Sequence, residues 1–423
     1  MPSSLRTIVA WTLYDFANSS FAAIALATVY PAYYANRVVD NATGRGDFLW
    51  GSAISTAMII GALTSPLLGG VANHAGATKR FFIAFTLVSV ATTALMATVL
   101  PGMVVWGWVL AVVGVVTYEA ATIYYNSYLP RIARPHELGR VSAAGFAVGY
   151  AGSLVAFLVA YPFAVAKMYW GCFLSAAVLF AIFSVPSFIV LPSDQRHPMS
   201  LGVAAARGAR LTLATLREIL TAPERVHMRR FLGSYLIYED GVNTVVVFAS
   251  VFATKTLGFP LEEAILLFMV VQITALIGSV AWARPTDVRG PRFVIRVTLV
   301  QWVAVTVLAF FVQEKWHFWV VAVLAGTGLG AVQAASRTFM ATLVPPEREA
   351  EFFGFYALVG KTGAVLGPVV FGLVSWLLSG NQRAAIVAVG LFFVVGFLLL
   401  GRVAAGGPTS RAGAAPARAA SGG

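Results

Sequence analysis

Six ionisable side chains stand where water is scarce. Asp15, Glu119, Glu239 and Asp240 supply carboxyls, Arg337 and Lys361 supply cations, and each is embedded in a long apolar run. An ionisable group near the middle of a membrane-crossing helix costs about 2.5–3.5 kcal/mol on insertion scales, so it faces protein or a water-filled path rather than lipid. The carboxyls can take an ammonium and the bases a carboxylate, so both signs in one cavity would suit a zwitterion. The competing reading is that Arg337 and Lys361 neutralise the acids and hold helices together. The two are compatible. A carboxyl carries a proton when burial and a neighbouring cation move its pKa through the working range, and Asp15, Glu119, Glu239 and Asp240 qualify by type. His74, His136, His197, His227 and His317 all fall at loops or span ends, which argues against a histidine relay.

Two of the acids sit in a repeated pattern. Tyr14-Asp15-Phe16-Ala17-Asn18-Ser19 and Tyr238-Glu239-Asp240-Gly241-Val242-Asn243-Thr244 share Asp-x-x-Asn-(Ser/Thr), 225 positions apart. With Tyr125 and Asn126 they define the expected solute site: Asp15, Asn18, Tyr125, Asn126, Asp240, Asn243, Arg337 and Lys361. The two Asp-x-x-Asn turns are expected to face each other across it.

The elements that must position these residues follow from composition. Of 423 residues, 59% are hydrophobic and 11% charged, against about 25% charged in soluble domains. The apolar residues come in long blocks, the signature of an all-α, polytopic membrane protein. Short alternating segments of a β-barrel are absent. Twelve spans are expected, at about 8–34, 50–72, 80–100, 103–129, 141–166, 169–192, 230–255, 261–283, 293–313, 317–344, 352–378 and 384–403. The first run is too long for a cleavable signal peptide and contains Asp15.

The net charge of +12 does not indicate nucleic acid, because the bases sit in short loops between spans. With the amino terminus inside, inner segments hold 21 Lys and Arg and outer loops 6. That bias predicts both termini in the cytoplasm, and a multi-pass protein so oriented is expected in the inner membrane of a bacterium. The single cysteine, Cys172, excludes an intrachain disulfide and a multi-Cys metal site. Gly354…Gly360-Lys361-Thr362 mimics a phosphate loop, but it is one residue too long and lies in an apolar span. With no metal-ligand spacing or nucleophile elbow, neither an enzyme nor a cofactor is expected. Asn41-Ala42-Thr43 is a formal glycosylation sequon, meaningful only in a eukaryotic secretory host.

The chain divides into an amino-terminal half (1–192), a linker (193–229), a carboxy-terminal half (230–403) and a tail (404–423) rich in Ala, Gly, Pro and Arg, expected to be disordered. In the linker, Leu213, Leu216 and Leu220 share one helical face and Arg207, Arg210 and Arg217 another, which predicts an amphipathic helix on the inner membrane surface. The halves repeat. Asn73-x-x-Gly76 after the second span matches Asp287-x-x-Gly290 after the eighth, at an offset of 214, and these tight inner loops are the expected gates. Leu129-Pro130 matches Val344-Pro345, and Gly145 and Gly152 match Gly360 and Gly367, all at 215. Six spans plus six in parallel repeat is the plan of major facilitator transporters, which carry solute near the midplane between rocking halves.

The motifs Tyr14-Asp15-Phe16-Ala17-Asn18-Ser19, Tyr125-Asn126-Ser127-Tyr128-Leu129-Pro130, Tyr238-Glu239-Asp240-Gly241, Gln333-Ala334-Ala335-Ser336-Arg337 and Glu351-Phe352-Phe353-Gly354-Phe355-Tyr356 through Gly360-Lys361 together resemble the vacuole-effluxer-like family of the major facilitator superfamily. The resemblance covers most of the chain. It implies a twelve-span transporter of small solutes; fungal members of the family export amino acids from the vacuole. Two positions depart from the pattern. Phe16 stands where tryptophan is expected, and Asn73 where the first inner-loop motif usually has aspartate, which weakens charge pairing at that gate while Asp287 keeps its counterpart. The expected function is secondary active transport of a small polar, amino-acid-like solute, outward and proton-linked, by a monomer in a lipid bilayer. Export of drugs or other amphipaths is the alternative within transport. A non-transporting sensor or scaffold is the alternative outside it, and would predict a large soluble domain or a structured tail.

Overall fold

The computed structural model describes residues 4–39, 45–193, 213–259, 261–363, 366–378 and 381–403. Every regular element among them is helical, and the twelve expected spans are all found. The first runs from Leu5–Phe21 through Ala22–Ala27 and Val29–Tyr33 to Tyr34–Val39. Then follow Arg45–Ala75, Thr78–Leu95, Val104–Ser127, Leu138–Val165 and Tyr169–Val190. The second half comprises Val226–Val251 continued by Phe252–Thr256, Leu261–Ala281, Pro291–Phe311, Lys315–Leu343, the interrupted pair Glu349–Thr362 and Leu366–Leu377, and Gln382–Leu400. Helices are required here because hydrocarbon offers backbone N–H and C=O groups no other partner. Leucines such as Leu158, Leu391 and Leu398 are exposed on the outside of the bundle, where lipid would meet them. The tail, Arg207, Arg210 and the Asn41 sequon lie outside the described residues.

The ends of the spans define two faces. One carries the residue 4 terminus and the linker, and is called the linker end; the other is the far end. A linker helix at 213–221 lies on the linker end. It buries Thr215 and Ile219 and leaves Leu213, Leu216 and Leu220 exposed on one stripe. These leucines are turned away from the protein.

Two crossings set the helix spacing. A Cβ on Gly152 would collide with the Phe16 carbonyl oxygen, and one on Gly330 with that of Ala275. Only glycine lets the fifth span close on the first, and the tenth on the eighth, at backbone-to-backbone range. The halves meet where the second span packs on the eleventh and the fifth packs on the eighth and tenth.

Candidate functional site

Arg337 of the tenth span is the hub of the contact between halves, and it is 3% exposed. Its Nη1 donates to Asp15 Oδ2 of the first span at 3.2 Å and to Asn126 Oδ1 of the fourth at 3.3 Å. Its Nε donates to Ser142 Oγ at 3.0 Å and its Nη2 to the Ser142 carbonyl at 2.6 Å. The guanidinium lies 4.0 Å from the Phe146 ring centroid and 4.9 Å from that of Trp11. Tyr125 Oη donates to Asp15 Oδ2 at 2.6 Å, and its ring stacks on Trp11 at 4.6 Å. A buried ion pair recovers its desolvation cost only when further hydrogen bonds satisfy both partners, and here they do. Gly145 makes the arrangement possible: a Cβ there would lie 2.5 Å from Asp15 Oδ2 and 2.7 Å from Arg337 Nη2.

A second pair crosses between the halves. Lys361 Nζ of the eleventh span lies 2.7 Å from Glu119 Oε2 of the fourth. The contact is an ion pair without hydrogen-bond alignment. In both pairs the acid comes from the amino-terminal half and the base from the carboxy-terminal half. Tyr150 Oη of the fifth span also donates across the halves, to Gln333 Oε1 of the tenth, at 2.6 Å.

Asp240 is elsewhere. It is 1% exposed and accepts from the Gly367 N–H at 2.9 Å. Gly367 opens the helix that restarts the interrupted eleventh span, whose first N–H groups have no intrahelical acceptor. Asp240 therefore serves as a helix cap within its own half, and its carboxylate does not face Asp15. The residue beside it does reach the interface: Glu239 is partly accessible in mid-span and lies within electrostatic range of Tyr235, Tyr356 and, from the other half, Tyr150. Asn18 is buried and Asn243 partly so; neither makes a side-chain hydrogen bond with another described residue.

At the linker end, Asp287 caps the fifth span. Its Oδ1 accepts from the Gly139 N–H at 2.7 Å, and its Oδ2 from Arg140 Nε at 2.7 Å. Gly290 (φ 84°) and Gly76 (φ 56°) turn the chain through the left-handed region just after each loop. Asn73 contributes its place in Arg45–Ala75. Other contacts at this end come from residues that the sequence singled out only as orientation signals, or not at all. Arg131 Nη2 pairs with Glu349 Oε2 at 3.2 Å. Arg348 bridges Glu218 and Glu351, each at 2.9 Å, and Thr215 donates to Glu351. Burial pushes the Glu218 carboxyl up, but the hydrogen bonds and charges of Arg348 and Arg225 outweigh it and hold that carboxyl below its usual range. The available signal was a cluster of acids, Glu347, Glu349 and Glu351, in an end otherwise dominated by bases.

Comparison with known proteins agrees with this fold. The family described as "Vacuole effluxer Atg22 like" matches residues 48–407. The "Uncharacterized MFS-type transporter YxiO" of Bacillus subtilis (strain 168) is 26% identical over 411 residues, covering 92% of this chain and 93% of that protein. "Autophagy-related protein 22" of Cryptococcus neoformans var. neoformans serotype D (strain B-3501A) is 27% identical over 250 residues, covering 54% and 45%. In three dimensions the chain is similar to the human organic anion transporter MFSD10 (TETRAN), with a TM-score of 0.72 at 15% identity, covering 95% of this chain and all of that one. It is also similar to the proton:xylose symporter XylE, at 0.70 and 14%, covering 96% of each. These two likenesses establish the major facilitator fold. The chain is an MFS-type membrane transporter and belongs to the Atg22-like vacuole effluxer family.

Proposed function

We propose that the protein exports a small polar, amino-acid-like solute across a bacterial inner membrane by alternating access, as a proton-linked monomer with both termini in the cytoplasm. On this reading the linker end is the cytoplasmic end and is closed, and solute binds near mid-span between the halves. The observation that carries the reading is the Asp15–Arg337 pair, formed across the halves deep in the bundle. Rocking the halves apart at the linker end must separate these two charges. A solute offering an ammonium and a carboxylate would take their place, so that occupancy and conformation are coupled. Glu119 and Lys361 would follow the same logic.

The amphipath reading has a poorer foothold. An apolar cavity of about 110 Å³ is lined by residues such as Phe248, Phe252, Trp302 and Phe371. All its lining comes from the carboxy-terminal half, so relative motion of the halves would not open and close it.

Uptake into proteoliposomes with an imposed pH gradient tests the reading. Asp15→Asn and Arg337→Gln are each expected to reduce transport of amino acids at least tenfold. Wild-type rates in both would remove the site assignment, and rates indifferent to the gradient would remove proton coupling.

A further inference from the structure

Counting charges in the spans leaves one carboxyl over. Asp15 is matched by Arg337, Glu119 by Lys361, and Asp240 by the N–H at the restart of the eleventh span. Glu239 has no basic side chain within 4 Å among the described residues. The titratable groups that face it are tyrosines: Tyr235 and Tyr238 on its own span, Tyr150 on the fifth and Tyr356 on the eleventh. Arg337 lies within electrostatic range of Tyr150 and Tyr356. The rings of Tyr235 and Tyr356 stack at 4.4 Å.

A carboxylate away from bulk water needs a cation beside it to stay ionised; without one it takes a proton. Aromatic faces favour the same kind of visitor, because a ring's quadrupole attracts a cation and repels an anion. In this arrangement Arg337 and Lys361 are engaged by Asp15 and Glu119, which leaves Glu239 as the mid-span carboxyl without a basic partner among the described residues. We propose that Glu239 is the shared binding point for a proton and for the ammonium group of the solute, so that amine-bearing solutes exchange for protons there and need no carboxylate to bind. The inference rests on the transport reading and narrows its substrate class to organic amines. The exchange balances: the carboxylic acid of Glu239 gives its proton to bulk water, and the carboxylate left behind pairs with R–NH3+. One proton appears for each amine bound.

The test uses the purified full chain in weakly buffered detergent with a pH-indicator dye. The probes are leucinamide, putrescine and choline, which have a cation and no carboxylate, and N-acetylleucine, which has a carboxylate and no amine. At least one of the three cations is expected to bind and to release about one proton per molecule, and N-acetylleucine to do neither. Glu239→Gln should abolish proton release and weaken that cation's binding at least tenfold, while Glu239→Asp should retain release. Binding without release, release that persists in Glu239→Gln, preferential binding of N-acetylleucine, or no response to any of the three cations would each overturn the proposal. Leucine counterflow in proteoliposomes separates its failure from that of the parent reading. If leucine moves while no cation binds, transport stands and the amine assignment falls.

Discussion

Asp15 and Asp240 occupy matching places in the two halves, yet they have different partners. Each points at the fifth helix of its own half, Asp15 beside Gly145 and Asp240 beside Gly367. In the amino-terminal half that helix is continuous from Leu138 to Val165, so its N–H groups are engaged within the helix. Asp15 therefore finds its donors elsewhere, in Tyr125 and, across the halves, in Arg337. In the carboxy-terminal half the corresponding helix ends at Thr362 and restarts at Leu366, and the freed N–H groups satisfy Asp240 locally. Sequence symmetry places two carboxylates alike; the continuity of a neighbouring helix decides which one depends on how the halves are arranged.

The sharpest way to break this contrast is to remove Arg337. Loss of one partner from a buried ion pair costs about 3–5 kcal/mol because the other charge is left uncompensated. Arg337→Leu is expected to abolish transport and to lower the melting temperature, while Asp15→Asn/Arg337→Leu recovers stability without transport; a double variant no more stable than the single would deny the coupling. Next in size is a pair of glycine substitutions. Gly145→Ala should displace the Asp15–Arg337 contact and reduce transport more than tenfold. Gly367→Ala should instead act mainly on stability, because the added Cβ would meet Thr244 and Asp240 inside one half. Melting curves and uptake rates measured together would show whether the two effects separate this way.

A smaller effect is expected of Asp240→Asn. The amide oxygen still accepts from Gly367, so only the interaction of a charge with the helix start is lost, roughly 0.3–1 kcal/mol. Transport should stay within a few-fold of wild type; collapse to the level of Asp15→Asn with an unchanged melting temperature would place Asp240 on the solute path. The smallest effect concerns the linker. Because Glu218 is held below its usual carboxyl range in the folded protein, its contribution is present above about pH 4.3, the ordinary glutamate value, and is lost as pH falls through the lower folded value. Hydrogen-exchange protection over 213–221, relative to the intrinsic rate at each pH, should therefore be flat from neutral pH to about 4.3 and fall only below it. A loss of protection beginning near pH 6 would assign the docking to another group.

The spans, their repeat and the six ionisable residues were legible because charge in an apolar run is conspicuous whatever the fold. Who pairs with whom was not. Arg337 lies 322 positions from Asp15, and the contact exists only because the halves are closed against each other in one arrangement. The break in the eleventh span was hidden because the apolar run continues through it; glycines at 363 and 367 were visible but read equally well as packing residues. Tyr150 escaped notice for a similar reason, as one tyrosine in the glycine-rich face of the fifth span. The clasp at the linker end was obscured by its own chemistry, since bases there served as orientation markers and their acidic partners went unpaired on paper.

Hydrogen bonds and ion pairs between the halves, among them Tyr150–Gln333, Glu119–Lys361, Asp15–Arg337, Asn126–Arg337, Ser142–Arg337, Arg140–Asp287 and Arg131–Glu349, lie from mid-span to the linker end. That choice of adhesive bears on reversibility. An apolar seal exposed to water would raise the free energy by about 25 cal/mol for each Å² uncovered. A polar contact pulled apart in the presence of water is largely replaced by hydration, and its net loss is only about 0.5–1.5 kcal/mol. A seam made of such contacts holds two bodies in register and still lets them part on thermal energy and a modest bias, as a reversible catch must.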